Sequence, residues 1–122
     1  MNYLWVALGG AVGATGRYLL SQIKITAYFP LTTMAINILG AIIIGAISYL
    51  PSLWGPVNPN LNLFLTVGLC GGFTTFSTFS LETVGLLESG RIFMALAYIF
   101  CSVILCMIGI YLGRGILKLF LS

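Results

Sequence analysis

The sequence predicts an all-α integral membrane protein of four transmembrane helices, the third of them broken near Gly71–Thr78. Three observations carry this. The chain of 122 residues is 60% hydrophobic and 6% charged, with a mean hydropathy of +1.13, which is outside the range of soluble globular domains. Its apolar residues gather in four runs, at about 2–22, 31–50, 61–87 and 91–119, each near the roughly 20 residues that a bilayer core demands. Inside the third run lies LTVGLCGGFTTFSTFS, from Leu65 to Ser80, which interleaves Gly68, Gly71 and Gly72 with Thr74, Thr75, Ser77, Thr78 and Ser80 and with three phenylalanines. Paired glycines weaken a helix, and hydroxyls can take over the freed backbone groups, so a break that faces protein or a cavity is expected there. Little of the chain is left outside the membrane, and residues 1–122 read as one transmembrane domain.

The first run has no Lys or Arg ahead of its apolar residues, and Arg17 comes near its end, so it reads as a mature helix and not as a secretory signal. Gly9, Gly10, Gly13, Ala14 and Gly16 give it a slim surface suited to close helix packing. Arg17 has two readings, a snorkelling anchor or a charge that draws anions into a vestibule.

The second run follows Pro30, and Thr32 or Thr33 is placed to cap its helix. Thr33, Asn37, Ala41, Gly45 and Ser48 fall at near-helical spacing and make one stripe of small and polar groups. Asn37 is the strong polar group of that stripe. An amide in lipid must find partners, either on a neighbouring helix or on a passing ion; beside the glycine-hydroxyl stretch, the second reading is favoured. Pro51, Gly55, Pro56, Asn58, Pro59 and Asn60 then mark an uncharged connector.

Just past the hydroxyl cluster sits Glu82, close enough to the third run's core to line a vestibule or cap a basic group. Glu88 lies in the next loop, and a six-residue offset on a helix points the two carboxylates apart. The fourth run carries Tyr98, Ser102 and Cys106 at i, i+4 and i+8 on one face, a track of weak donors or a set of interhelical contacts. Cys70, Cys101 and Cys106 show no metal-ligand spacing and read as small apolar packing residues.

Four short helices are too few to enclose a water-lined path and also shield it from lipid, so an oligomer is expected. GxxxG spacing at Gly9/Gly13, Gly68/Gly72 and Gly109/Gly113, with Ala41/Gly45 as a weaker case, serves helix contacts either between subunits or within one. With four spans, Arg114 and Lys118 fall on one side of the membrane and Arg17, Lys24 and Arg91 on the other. Two against three is almost no bias, which permits insertion both ways and an antiparallel dimer.

The chain has no histidine, no base placed beside a Ser or Cys, no phosphate-binding loop and no metal-ligand cluster, so an enzyme is not expected. Hydroxyls, one amide, aromatic edges and freed backbone amides suit a small anion. Phe76 and Phe79 share a helix face and can present positive ring edges to it, although lone phenylalanines more often pack. A helix break also offers amides to anions at one end and carbonyls to cations at the other. If two breaks met antiparallel, their carbonyls would form a hard oxygen cage suited to sodium.

The segments GGAVGATGRY (Gly9 to Tyr18), TMAINILG (Thr33 to Gly40) and GLCGGFTTFSTFSLE (Gly68 to Glu82) resemble the Fluc family of small fluoride channels, also called CrcB. The resemblance implies an antiparallel, dual-topology homodimer in the bacterial inner membrane, with two fluoride pores and a central structural sodium ion, that exports fluoride and so confers fluoride resistance. It implies no nucleic-acid partner. Carried over by position, it makes Phe76, Phe79 and Asn37 pore residues and puts Ser77 and Thr78 beside the path. Tyr98 and Ser102 start the polar track, and the backbone carbonyls of Gly71 and Thr74 are the sodium ligands. Glu82 matches an acidic vestibule residue, and Arg17 is placed in the vestibule by its own charge and position. Cys106 departs from the pattern, which continues the track with a hydroxyl. The competing reading is a small multidrug-type cation exporter, a four-helix dual-topology dimer of similar length. Those exporters resemble one another in a glutamate on the first helix, and this first run has no carboxylate.

Overall fold

The computed structural model describes residues 2–23 and 30–121. Lys24, counted above in the charge balance, lies outside the described residues. Every regular element described is helical: α1 (Asn2–Ser21), α2 (Leu31–Trp54), a composite α3 over residues 59–73, α4 (Phe76–Glu88) and α5 (Ile92–Leu121). Among the described residues, three stretches are long and apolar enough to cross a membrane, namely Leu31–Trp54, Pro59–Glu88 and Ile92–Leu121. The 20-residue α1 is not among them, since its glycines and Arg17 lower its hydropathy.

The helices pair α1 with α3 and α2 with α5, and glycine makes both pairings possible. A Cβ at Gly13 would collide with the Leu69 carbonyl, and one at Gly68 would stand 2.7 Å from the Gly9 Cα. A Cβ at Gly113 would meet the Ile42 carbonyl, one at Gly45 would meet Ile110, and one at Gly109 would press on Ala41 at 3.3 Å. All four small-residue motifs are thus spent on contacts inside one chain, and they carry no argument for an oligomer. The buried core is Met34, Phe79, Leu86, Ala95 and Tyr98, where α2, α4 and α5 meet.

Two local expectations change. The α2 helix starts at Pro30 without a side-chain cap; Thr32 instead donates to the Ile23 carbonyl, 3.1 Å away, and ties α1 to α2. The helix also runs through Pro51 to Trp54 and closes at Gly55, whose φ of 81° suits glycine. The connector supplies the cap of α3: Asn58 accepts from the Asn60 and Leu61 amides, with Pro59 in the first turn.

The composite α3 begins with the turn Pro59–Asn62, widens into π-helical winding over Leu63–Cys70 and ends at Gly71–Phe73. Its break comes at Thr74 and Thr75, both extended, with ψ of 156° and 118°. Contrary to expectation, the paired glycines do not make it. Gly71 is helical at φ −63°, and Gly72 serves close approach, since a Cβ there would stand 2.8 Å from the Gly10 carbonyl.

Candidate functional site

A break in a helix strands backbone groups, and the packing of α1 and α2 decides which ones regain partners. Uninterrupted winding would give the amides of Thr75, Phe76 and Thr78 to the carbonyls of Gly71, Gly72 and Thr74. Instead, the Thr75 N–H donates to Asn37 Oδ1 at 2.9 Å, while Asn37 Nδ2 donates back to the Thr75 carbonyl at 3.1 Å. The Thr78 N–H goes to Thr75 Oγ1 at 3.1 Å, so Thr75 caps α4. Arg17, half-buried on α1, donates through Nε to the Gly72 carbonyl at 3.1 Å. Two helices therefore grip the break from either end, and the carbonyls of Gly71 and Thr74 are left without their helical donors.

Beside the break lies a cavity of about 390 Å³, lined by Asn37, Gly40, Ala41, Ile44, Thr66, Cys70, Gly71, Thr74, Thr75, Phe76, Phe79, Ser102, Val103, Cys106 and Ile110. None of these residues is charged. Ser102 is 5% exposed, and its Oγ has no hydrogen-bond partner. A buried hydroxyl left unsatisfied in a wall of this kind marks a place where a polar ligand would be held. The rings of Phe76 and Phe79 stand 5.5 Å apart, tilted by 46°. They differ in setting, because Phe79 is 8% exposed and Phe76 78% exposed.

The cavity therefore unites Asn37, Phe76, Phe79, Ser102, Gly71 and Thr74, and adds Cys106 to them. Five predicted residues, Tyr98, Glu82, Ser77, Thr78 and Arg17, lie elsewhere. Tyr98 is fully buried, packs on Phe79 with ring centroids 5.0 Å apart and planes tilted by 51°, and donates its phenol hydrogen to Glu82 Oε1 at 3.1 Å; the pair braces α4 against α5. Ser77 and Thr78 lie by Thr75 Oγ1, at 3.3 Å and 3.0 Å. Arg17 holds the Gly72 end of the break.

Thr75 is the residue that sequence reasoning passed over. It lines the cavity, caps α4 and is clasped by Asn37. Its signal was a hydroxyl residue three positions before Thr78 at the start of a helical pattern, which is N-cap spacing. Among the described residues, no group of three His, Cys, Asp or Glu side chains could hold a metal. The carbonyls of Gly71 and Thr74, which have lost their helical donors, are oxygens of the kind that hard cations take as ligands.

Known proteins bear on this arrangement. The chain is 46% identical over 121 residues to a protein of Ruminiclostridium cellulolyticum named Fluoride-specific ion channel FluC, covering 97% of this chain and 93% of that one. Proteins of the same name from Rhodospirillum rubrum and Magnetococcus marinus are 46% and 45% identical, each match covering 93% of this chain and 92% and 94% of theirs. Residues 4–114 match the family described as CrcB-like protein, Camphor Resistance (CrcB). That match spans the two gripping helices, the break and the cavity wall through Cys106 and Ile110, and the chain belongs to the CrcB family.

Proposed function

We propose that this chain is a fluoride-selective channel, a multi-pass protein of the bacterial inner membrane that lets fluoride leave the cytoplasm passively. The observation that carries the reading is the uncharged cavity with the unpartnered Ser102 hydroxyl in its wall. Fluoride holds its water tightly, so a path must supply replacement donors while offering no fixed charge that would trap the ion. Ser102 supplies a free hydroxyl, Asn37 supplies the amide hydrogen that the Thr75 carbonyl does not use, and Phe76 and Phe79 add the positive potential of their ring edges. The reading is a transporter and not an enzyme.

The working unit is an antiparallel homodimer of four-helix transmembrane domains, α1 serving as the first span and α3 with α4 as the third. Two features support it: Phe76 stands exposed at the cavity rim, where a second copy would cover it, and the basic residues are nearly balanced. A structural sodium ion would sit where two breaks meet, held by the carbonyls of Gly71 and Thr74 from both copies. Bound there, it would neutralise converging carbonyl dipoles. Because no carboxylate takes part, Glu82→Gln should leave the ion in place, and an experimental map without a cation on the two-fold axis would refute that site.

The test of function is flux from liposomes that contain the purified protein. Fluoride should leave, while chloride and a quaternary ammonium cation should stay. Transport of the cation would favour a small multidrug-type exporter, and absence of any flux would remove the channel reading altogether.

A further inference from the structure

Cys106 lines the cavity beside the groups already assigned to the path. It lies one helical turn beyond Ser102 on α5, half-buried, in the same wall. Of the other two thiols, Cys70 faces the cavity from α3 but is 3% exposed, and Cys101 is on the exposed outer side of α5. A second observation points to a ligand in this part of the cavity: the Ser102 hydroxyl, one turn away in the same wall, is 95% buried and has no hydrogen-bond partner. We propose that Cys106 is a thiol-modification site in the wall of the ion path, open to small neutral sulfur-seeking electrophiles, and that its modification closes the path.

The inference rests on the reading of the cavity as the fluoride path. Charge selects the reagent class. No Asp, Glu, Lys or Arg lines the cavity, so a charged reagent finds no counter-ion there and an uncharged one enters more easily. With methyl methanethiolsulfonate, the Cys106 sulfur attacks the reagent's methylthio sulfur, a new S–S bond forms and the reagent's own S–S bond breaks. Methanesulfinate leaves with the electron pair, and the thiol proton goes to water. The product is a methyl disulfide. It replaces a weak S–H donor with an apolar cap one turn from Ser102, just where a dehydrated anion needs donors.

The experiment treats reconstituted full-length protein with methyl methanethiolsulfonate, maps adducts by peptide mass and follows fluoride flux. A methylthio adduct is expected on Cys106, with flux falling about tenfold or more, the scale of losing a hydrogen bond to a charged group. Dithiothreitol should restore the flux of the same sample, which makes the result independent of any variant's folding. Cys106→Ser should resist the reagent relative to its own untreated rate, and Cys101→Ser should remain sensitive. An adduct on Cys70 with Cys106 unmodified, or no adduct on either, overturns the thiol site while leaving the channel reading untouched if flux is fluoride-selective. An adduct on Cys106 with flux unchanged overturns closure and moves the path out of this cavity. If the untreated protein passes no fluoride, the functional reading fails, and the adduct map still decides whether the thiol site exists.

Discussion

Asn37 and Arg17 invite the same first interpretation, a polar group waiting for an ion, and the structure gives each a nearer partner. The Asn37 amide forms a two-way clasp with the Thr75 peptide, and this leaves one amide hydrogen for a ligand. Asn37→Asp keeps the acceptor for the Thr75 amide but turns a carboxylate toward the Thr75 carbonyl, and it also repels an anion. Fluoride efflux from liposomes should fall more in this variant than in either Phe→Ile variant. Of the two rings, Phe76 gives the cleaner test of edge electrostatics. Phe79 packs on Tyr98 at 5.0 Å, so Phe79→Ile also loses an aromatic contact of about 1 kcal/mol. Phe76, exposed within the chain, loses little packing on the same change. Flux through Phe76→Ile should drop strongly while the dimer persists by size-exclusion chromatography; undiminished flux would mean that the ring only packs. For Arg17, the distinction is between charge and hydrogen bond. Arg17→Gln keeps a donor for the Gly72 carbonyl without the charge, and Arg17→Met keeps neither. Hydrogen exchange across residues 71–78 should accelerate in Arg17→Met and stay near the wild-type rate in Arg17→Gln.

At the scale of the elements, the glycines sort by what a methyl group would strike. At Gly13 a Cβ would meet the Leu69 carbonyl and stand 2.9 Å from the Phe73 nitrogen, both of them backbone that cannot swing aside. Gly13→Ala should therefore lower the unfolding temperature in detergent, with an overpacking cost of about 1–3 kcal/mol. Gly71 is one of the paired glycines expected to weaken the helix at the break. Its Cβ would find nothing nearer than the Thr66 carbonyl at 3.8 Å, so Gly71→Ala should leave protomer stability unchanged or slightly raised, since alanine is the better helix former by about 1 kcal/mol. The sensitive position at the break is Gly40 on α2, where a Cβ would run into the Thr74 methyl and stand 3.3 Å from the Phe73 ring. Gly40→Val should displace Thr74 and reduce flux far more than Gly71→Ala.

For the whole molecule, the near balance of basic residues is the observation with the largest consequence. Orientation follows Lys/Arg asymmetry, and the chain has five such residues in all. Adding two or three lysines to one terminus should force a single orientation and abolish fluoride efflux. Co-expression with an oppositely biased copy should restore it. Full activity from a one-way chain would exclude the antiparallel dimer. The small-residue motifs cannot serve that argument, since Gly9, Gly13, Gly45, Gly68, Gly109 and Gly113 all face neighbours in their own chain.

By itself the sequence determined the solvent of this protein, its all-helical class and the interval in which one helix breaks. Those properties depend on local composition: hydropathy summed over about 20 residues, and hydroxyls clustered in a run otherwise fit for lipid. Spacing along single helices raised Asn37, Phe76, Phe79 and Ser102 as candidates, the resemblance assigned them to a pore, and the cavity contains all four. Only the tertiary structure decided that Thr74 and Thr75, and not the glycines, form the break, and that Tyr98 turns away to Glu82. The bonds responsible join residues 38 and 55 positions apart, Asn37 to Thr75 and Arg17 to Gly72. No periodicity along one helix encodes which stranded backbone group a side chain from another will reach; that depends on how closely glycine lets the helices approach.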